Sequence, residues 1–456
     1  MNVFWHRRDL RTVDNRGLAR AARDDEVLSV YVLQREFLEK VGARQRAFLF
    51  AGLRKLREAY RRLGGDLLVR RGDPARTLAS VYDEHDADTV YYNRHYRPAR
   101  HNRARRVDRR LPTETVTDLV LVDPHELAPS YPHHGGFHDD WTAREKPAPV
   151  DPPAADRVVD PDDPGEIPEL EADVDLPPAG YGAARDRYDR FLADGIETYA
   201  ETRDDMRAAV ERPVGAVSRM SPYLAAGMVG IRELWADATD RYEATGGDAR
   251  RSVGKYRYEL SWREYNYHLL AHNPTLVSRN YRDLPNRIDW RNDPAELAAW
   301  KRGETGYPLV DAGMAQLDRE GYIHNRPRQV VASFLTKHLL VDWQTGARHF
   351  AEQLVDHDPA SNAGNWQWIA STGTDAVDVR IFDPVAQMDK YDPDAVYVTE
   401  YVPELRGVDP EKIVAWPTLS AAERQSLAPT YPHPVVDRDD AYERAQRTFE
   451  RALGKR

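Results

Sequence analysis

Short apolar runs alternate with amphipathic stretches along residues 1–125. The apolar runs are bounded by Gly, Asp or Pro and are typical of strands, at residues 2–5, 27–33, 66–69, 89–92 and 116–122. Between them, residues 45–63 place large apolar side chains on one helical face, and residues 74–85 begin a second helix after Gly72-Asp73. Strands that alternate with helices predict a Rossmann-like parallel sheet covered on both faces. The Gly-x-Gly-x-x-Gly fingerprint of dinucleotide-binding proteins follows none of these strands.

The pattern changes twice after this region. Residues 143–180 are rich in proline and acidic residues and lack periodicity, which is typical of a connection that cannot fold alone. From Arg185 onward helical periodicity dominates, with Ser221-Pro222 and Asp293-Pro294 resembling helix starts. Helix ends are indicated by Gly227, Gly303 and Gly321. We therefore expect an α/β domain over residues 1–125, a linker over residues 126–180 and an all-α domain over residues 181–456.

Composition narrows the functional classes. The chain has 456 residues, 41% of them hydrophobic and 31% charged, and it has no cysteine, which excludes disulfides, thiolate metal sites and cysteine nucleophiles. No apolar run approaches the roughly 20 residues that span a bilayer, so we expect a soluble, cytoplasmic protein. We also expect a monomer. The net charge of −10 argues against a uniformly basic coat for nucleic acid but not against a local basic groove. An acidic chain with many arginines and few lysines also suggests a halophilic source.

One stretch, residues 362–380, combines two tryptophans with small and amide residues. An apolar helical stripe would recur every three or four residues, whereas Trp366 and Trp368 are two residues apart and leave a helix in different directions. This spacing predicts two different contacts for the two rings. The alternative is that both are ordinary core aromatics.

Several segments of the chain resemble one known family. Trp290-Arg-Asn-Asp-Pro is followed by Gly306-Tyr-Pro-Leu-Val-Asp-Ala-Gly-Met, His324-Asn-Arg-Pro-Arg, Ala332-Ser-Phe-Leu-Thr-Lys and Asn365-Trp-Gln-Trp-Ile-Ala-Ser-Thr-Gly-Thr-Asp. Upstream stand Trp5-His-Arg-Arg-Asp-Leu-Arg and Ser218-Arg-Met-Ser-Pro-Tyr-Leu-Ala-Ala-Gly. In this order the segments resemble the DNA photolyase and cryptochrome family, and most of all its class I cyclobutane pyrimidine dimer photolyases. With the composition, the resemblance suggests a haloarchaeal member.

The resemblance implies a light-driven repair enzyme that acts on DNA containing pyrimidine dimers. Photoexcited reduced FAD would pass one electron to a dimer that has been flipped out of the duplex. A cryptochrome-type blue-light photoreceptor with the same FAD pocket is one alternative. A (6-4) photolyase is another, although that class would need a second histidine near the lesion, where this chain has Gln329.

The resemblance also implies a set of FAD contacts. Ser218, Arg219 and Ser221 offer hydroxyl, guanidinium and backbone groups to a pyrophosphate at a helix start, although a plain helix cap would use the same residues. Arg328 and Asp356 match a pair that flanks the flavin, although they would also suit an ordinary salt bridge. The full set is Ser218, Arg219, Met220, Ser221, Tyr256, Arg263, Arg328, Asp356, Asp358 and Asn362, and Asn362 matches the residue that faces flavin N5.

The remaining implied residues carry electrons or the substrate. Trp366, Trp343 and Trp290 match the chain of tryptophans through which an external electron reaches the flavin. The substrate set is Glu259, Trp262, Asn325, Arg326, Gln329 and Trp368, in which the two tryptophans stack on the extruded dimer and Glu259 accepts a hydrogen bond from it. Taken alone, Glu259 would be a solvated acid on a helix face.

Several positions depart from the family pattern and bear on the substrate or on the antenna. Gln329 replaces a methionine near the dimer, and the segment after Asp375 is one residue shorter than usual, with Asp383 in place of an asparagine. Arg100 and Ser278 stand where folate-binding members carry an acid and a base, and His95 stands where deazaflavin-binding members carry an acid. Of the second chromophores, 8-hydroxy-5-deazaflavin is favoured over methenyltetrahydrofolate because of the suspected haloarchaeal source, and an empty pocket is the third alternative.

Overall fold

The computed structural model describes residues 1–374 and 379–455. Five parallel strands form one sheet in the order β3-β2-β1-β4-β5. The strands are β1 (Asn2–His6), β2 (Val27–Leu33), β3 (Leu67–Arg71), β4 (Thr89–Asn93) and β5 (Thr113–Val116). In the register, Asn2 is level with Val27 on one side and with Thr89 on the other. The central position of β1 makes the sheet doubly wound, as the strand and helix pattern predicts.

One predicted strand is wrong. The end of the apolar run, at residues 120–122, is buried, but the strand ends at Val116 and the rest of the run forms a loop. The backbone N–H groups of Leu121 and Val122 donate to the carboxylate of Glu264, at 2.6 and 3.3 Å, instead of to a neighbouring strand. A carboxylate from a distant helix therefore satisfies the polar backbone of this buried segment.

Helices make up most of the chain after the sheet. The first are α1 (Arg16–Ala21), α2 (Arg35–Leu38), α3 (Ala43–Arg62), α4 (Pro74–Glu84), α5 (Pro98–Asp108), α6 (His134–Ala143), α7 (Tyr181–Asp194), α8 (Tyr199–Thr202), α9 (Met206–Glu211), α10 (Pro213–Ala216), α11 (Ser221–Ala226) and α12 (Ile231–Ala244). They are followed by α13 (Gly247–His272), α14 (Pro294–Arg302), α15 (Pro308–Glu320), α16 (Asn325–Ser333), α17 (Trp343–Gln353), α18 (Pro359–Ile369), α19 (Pro384–Tyr391), α20 (Val396–Tyr401), α21 (Pro410–Val414), α22 (Ala421–Leu427) and α23 (Arg438–Ala452). A π-helical turn, Phe334–His338, follows α16. The predicted combination of an α/β domain with an all-α region is confirmed. None of the described helices is long and apolar enough to cross a bilayer.

The predicted helix boundaries have visible causes. Helix α14 begins where the Asp293 side chain accepts hydrogen bonds from the backbone N–H groups of Ala295 and Glu296, at 2.8 and 3.0 Å. It ends at Gly303, whose φ of 66° is the left-handed conformation that glycine adopts without strain. Gly227 and Gly321 end α11 and α15 in the same way.

The chain divides into two compact units. The first unit contains residues 1–197, 218–274 and 355–360, and the second contains residues 198–217, 275–354 and 361–456. In the first unit, Val3, Leu28, Val30 and Val90 form the centre of the sheet core. In the second, a large cluster surrounds Trp300, Trp343 and Trp366. The predicted boundaries at residues 125 and 180 stay a prediction.

The acidic, proline-rich segment, residues 143–180, is hydrogen-bonded to other parts of the first unit. The backbone N–H of Val159 donates to the carbonyl of Val27 at 3.1 Å, and the backbone N–H of Val69 donates to the carbonyl of Pro164 at 2.8 Å. The carboxylate of Asp173 pairs with Arg44 at 2.8 Å. The segment is therefore ordered by external hydrogen bonds although it has no core of its own. The segment after Asp375 that is one residue shorter than usual begins outside the described residues, because residues 375–378 are not described.

Candidate functional site

The segment 218–221 leads into helix α11 in the first unit. The residue before the helix is Met220, and no side chain caps the helix N-terminus. The Ser221 hydroxyl instead donates to the carboxylate of Asp356 at 2.7 Å. Ser218 is hydrogen-bonded to the hydroxyl of Tyr256, and burial raises the pKa of Tyr256 to about 12. The plain-cap interpretation of this segment is therefore wrong.

A second group of polar residues in the first unit surrounds Asp358. The Arg8 guanidinium lies 2.5 Å from this carboxylate, and the Tyr267 hydroxyl donates to it. Because burial raises the pKa of Tyr267 to about 12, the hydroxyl keeps its proton and remains a donor. Arg263 stacks its guanidinium on the ring of Tyr267, 4.9 Å from the ring centre, and donates to the carbonyl of Leu119 at 3.0 Å.

Sequence reasoning missed Arg8 and Tyr267. For Arg8, the available signal was the run of charged residues directly after β1, because parallel sheets bind ligands at the carboxyl ends of their strands. Arg8 belongs to that run, in the segment Trp5-His-Arg-Arg-Asp.

Trp262 lies on α13 in the first unit with one face of its ring covered. The imidazole of His134 stacks on the indole with ring centres 3.8 Å apart and planes 10° apart. The Ser261 hydroxyl donates its proton to the carbonyl of Tyr258. The same oxygen is 3.0 Å from His134 Nε2 and 2.9 Å from His138 Nδ1, so both histidine nitrogens must donate to it. Burial, followed by the nearby His138, lowers the pKa of His134 to about 3, so the stacked ring is neutral.

Glu259 is three residues before Trp262 on the same helix. Its carboxylate pairs with Lys255 Nζ at 2.8 Å, and its side chain is 27% exposed. Glu259 is therefore half-buried and ion-paired, which differs from the fully solvated acid of the alternative interpretation.

In the second unit, helix α16 carries four of the predicted residues. Arg326 donates to Asp204 at 2.8 Å and to the side-chain oxygen of Gln329 at 2.9 Å, and its guanidinium lies 4.2 Å from the ring centre of Tyr391. Arg328 donates to the carbonyl of Ile323 at 3.2 Å, and Asn325 is exposed at the helix start. The positive charge of Arg326 is thus already matched by a carboxylate.

The two closely spaced tryptophans lie on helix α18 and have different surroundings. Trp366 is 3% exposed and packs so closely on Gly346 that a Cβ atom there would lie 2.2 Å from the indole. Trp368 is half-buried, with the Arg380 guanidinium 4.0 Å from its ring centre and no acceptor for its Nε1–H among the described residues. The two rings have different surroundings, as their spacing predicts. Asn362, one turn before Trp366, donates to the carbonyl of Ala347 at 2.9 Å.

The other two tryptophans of the predicted relay lie in the same unit. Trp343 is 1% exposed at the start of α17 and donates from Nε1 to the side-chain oxygen of Asn280 at 2.9 Å. Gly346, which contacts Trp366, is three residues after Trp343 on this helix, so the two residues lie on nearly the same helix face. The loop after Trp290 is attached to the start of α17, because the Asp342 N–H donates to the Asn292 side chain at 2.9 Å.

Comparisons with known proteins identify the family. The model of the FAD-binding domain of DNA photolyase matches residues 256–451, and the DNA photolyase model matches residues 2–150. A deoxyribodipyrimidine photo-lyase of Halobacterium salinarum is 42% identical over 100% of this chain and 100% of its own. The chain belongs to the DNA photolyase family.

Two solved structures of this photolyase family extend the comparison to the fold. A class III photolyase from Agrobacterium tumefaciens aligns with a TM-score of 0.87 at 34% identity, covering 100% of this chain and 98% of the other. A cryptochrome from Synechocystis aligns with a TM-score of 0.89 at 27% identity, covering 98% of this chain and 99% of the other. The predicted family and its FAD-binding domain are therefore confirmed, and the roles of individual site residues stay predictions.

Proposed function

We propose that this protein is a deoxyribodipyrimidine photo-lyase, which repairs cyclobutane pyrimidine dimers in DNA with the energy of blue or near-ultraviolet light. The observation that carries the proposal is the full-length similarity, 42% identical, to the photo-lyase of Halobacterium salinarum. Bound reduced FAD would supply the photoexcited electron that opens the dimer and would take it back afterwards. The protein would supply binding, orientation and electron access.

We assign the FAD contacts by the chemistry of the donor groups. In the first unit, Ser218 and Ser221 with Arg219 would hold the pyrophosphate, because hydroxyl and guanidinium groups are its usual partners. Asp358, fixed by Arg8 and Tyr267, would accept hydrogen bonds from hydroxyls of the ribityl chain. The remaining assignments are Met220, Tyr256, Arg263 and Asp356 in the first unit and Arg328 and Asn362 in the second.

The substrate contacts are assigned to both aromatic and polar groups. Because His134 covers one face of Trp262, only the opposite face of that indole can stack on an extruded dimer. Glu259 would accept a hydrogen bond from the pyrimidine edge, in exchange for part of its bond to Lys255. In the second unit, the residues assigned to substrate binding are Trp368, Asn325, Arg326 and Gln329. Arg326 would have to release Asp204 in order to bind a phosphate.

The photolyase-like electron relay is assigned to Trp366, Trp343 and Trp290. Its support is the graded exposure of the three rings, from the buried Trp366 and Trp343 to the half-buried Trp290. Tryptophan is suited to the task because its ring is readily oxidised. An electron from outside would enter at Trp290.

A second chromophore is proposed for a cavity of about 670 Å³ in the first unit, lined by His95, Tyr96 and Arg7 among others. His95 Nδ1 accepts from the backbone N–H of Arg97 at 3.1 Å, so Nε2 carries the proton, and it has no acceptor in the part of the chain that the structure describes. This buried donor suits the acidic hydroxyl of 8-hydroxy-5-deazaflavin better than methenyltetrahydrofolate. Arg100 instead stacks on Phe37, 4.8 Å from the ring centre. On this proposal residues 1–125 are the antenna domain and residues 181–456 the catalytic domain.

A cryptochrome-type photoreceptor remains the second candidate, because the Synechocystis cryptochrome shares the fold over 98% of this chain. The deciding experiment uses purified protein with chemically reduced FAD, an oligonucleotide containing one thymine dimer, and blue light. The photo-lyase proposal predicts restoration of paired thymines, detected by chromatography. Absence of repair, with FAD bound and reduced, would favour the receptor.

The relay is tested with Trp366→Phe. This variant should lose light-driven reduction of oxidised FAD, by at least about tenfold, because the first step of the relay is gone, while the chemically reduced variant should still repair dimers. Trp300→Phe is the matched control, because Trp300 contacts Trp366 with ring centres 6.4 Å apart but is outside the relay. Equal loss of both activities in Trp366→Phe, or equal loss of photoreduction in Trp300→Phe, would contradict the assignment.

A further inference from the structure

A surface cavity of about 550 Å³ lies beside Trp290 in the second unit. It is formed by the loop that precedes α14 and by the start of α17. One wall is apolar and includes Trp290, Ile288 and Leu284. The volume is within the range of roughly 300–1,000 Å³ that is usual for small-molecule sites.

The lining of the cavity is also rich in arginine. Arg279, Arg282 and Arg287 line it, together with two acids, Asp283 and Asp342. Asp342 is occupied as the N-cap of α17, where it accepts from the backbone N–H of Gln344 at 3.0 Å. Arg279 and Arg287 are exposed and form no ion pair with any residue that the structure describes. In a chain with a net charge of −10, these two guanidinium groups are a local concentration of positive charge.

The cavity touches two members of the proposed relay. Trp290 lines it directly. Asn280 also lines it, and its side-chain oxygen accepts from Trp343 Nε1 at 2.9 Å. A molecule in the cavity would therefore be in contact with the outermost tryptophan and one residue away from the next. Such contact is the geometry that a short electron transfer requires.

We propose that this cavity binds a small anionic one-electron donor that re-reduces Trp290. The inference rests on the electron relay proposed above. The donor class is an ene-diol or dihydropyridine that bears an enolate, carboxylate or phosphate, such as ascorbate or a reduced nicotinamide nucleotide. Arg279 and Arg287 hold the anionic group, and the oxidisable ring lies against Trp290.

The step balances as a one-electron exchange. The bound donor loses one electron and the oxidised Trp290 gains it, so the indole returns to its closed-shell form. If the oxidised indole has lost its N–H proton, it takes one proton back from solvent. The donor radical leaves the open cavity and is replaced by a fresh molecule.

The test follows the decay of oxidised Trp290 after a laser flash, at constant ionic strength, with increasing concentrations of donor. With ascorbate or reduced nicotinamide adenine dinucleotide phosphate, the wild-type decay rate should saturate, because the donor is bound before it reacts. Which of the two saturates at the lower concentration identifies the donor. In Arg279→Gln/Arg287→Gln the rate should be linear in donor and at least about tenfold lower at low concentration, whereas the rate with neutral hydroquinone should be unchanged.

Two controls make the result specific. Arg109→Gln/Arg110→Gln removes the same charge from exposed residues of the first unit and should behave as wild type. Dark binding of whichever donor saturates at the lower concentration, measured by calorimetry, should be lost only in Arg279→Gln/Arg287→Gln. A linear wild-type rate, or equal saturation in both double variants, overturns the proposal.

Failure of the relay itself is distinguishable from failure of the donor site. If no oxidised tryptophan forms in the wild type while the donor still binds, the relay and the donor role fall together. If the radical forms but neither binding nor saturation occurs, the donor site alone is wrong. Repair by chemically reduced protein should be the same in all these variants.

Discussion

At the residue scale, His134 explains how Trp262 is presented. Its neutral imidazole covers one face of the indole, and Ser261 orients the ring by accepting from Nε2. Sequence reasoning found Trp262 through its place on α13, but no local pattern connects it with a histidine on α6, in the stretch assigned to the linker. The spacing of Trp366 and Trp368 could be interpreted locally because both rings belong to one helix.

His134 gives a prediction about acid stability. Its pKa is lowered from 6.5 to about 3 in the folded protein, so its contribution to stability is fully present above pH 6.5 and is lost as the pH falls toward 3. His134→Phe keeps an aromatic ring on Trp262 but binds no proton on unfolding. The free energy of unfolding of this variant should therefore decline less steeply between pH 6.5 and pH 4 than that of wild type, as measured by urea titrations.

The matched control is His433→Phe, because His433 is exposed. This substitution removes an imidazole that does not cover Trp262, so it should not reproduce the shallower decline expected of His134→Phe. A His134→Phe profile that is parallel to wild type would show that the imidazole is not buried against Trp262 in solution. Dimer binding by His134→Phe should stay within about threefold of wild type, because the stack is preserved.

At the element scale, a buried ion-pair cluster joins α12 to the segments that follow β1 and β5. Arg232 is fully buried and contacts Asp14 at 2.6 Å and Asp118 at 2.5 Å. Burial opposes the charge on Asp118, but Arg11 and Arg232 outweigh it and lower the pKa of this carboxyl to about 2. Sequence periodicity could not predict this cluster, because arginine and aspartate are normally exposed. The same reason explains the wrong strand at residues 116–122, whose backbone partner is Glu264.

Arg232→Met should destabilise the first unit by about 3–5 kcal/mol, because it leaves two buried carboxylates with too little positive charge. Urea unfolding followed by circular dichroism measures the change. Arg241→Met, on the same helix, is the control: Arg241 is 43% exposed and pairs with Glu197 at the surface, so its loss should cost less than about 1 kcal/mol. Equal effects of the two substitutions would refute the view that burial makes the Arg232 cluster important.

At the scale of the whole molecule, the sequence predicted the order of architectures and the family, because both depend on long patterns and ordered motifs. It could not predict the two compact units, in which residues 218–274 and 355–360 belong with the sheet. Such grouping arises from contacts between distant segments, for example Ser221 with Asp356, and no periodicity records them.

The net charge of −10 gives a prediction for the molecule as a whole. Repulsion among excess acids destabilises the folded state at low salt, and raising the salt to about 1 M shortens the screening distance from about 8 Å to about 3 Å. The melting temperature should therefore rise between 0.2 and 2 M KCl, in agreement with the similarity to a Halobacterium protein.

Glu166, Glu169 and Glu171 are exposed in the acidic segment. Changing all three to Gln removes part of the repulsion, so the triple variant should melt higher than wild type in 0.2 M KCl and at nearly the same temperature in 2 M KCl. If the melting temperatures of both proteins rise equally with salt, the stabilisation comes from exclusion of the salt from the protein surface and not from screening of the acidic charges.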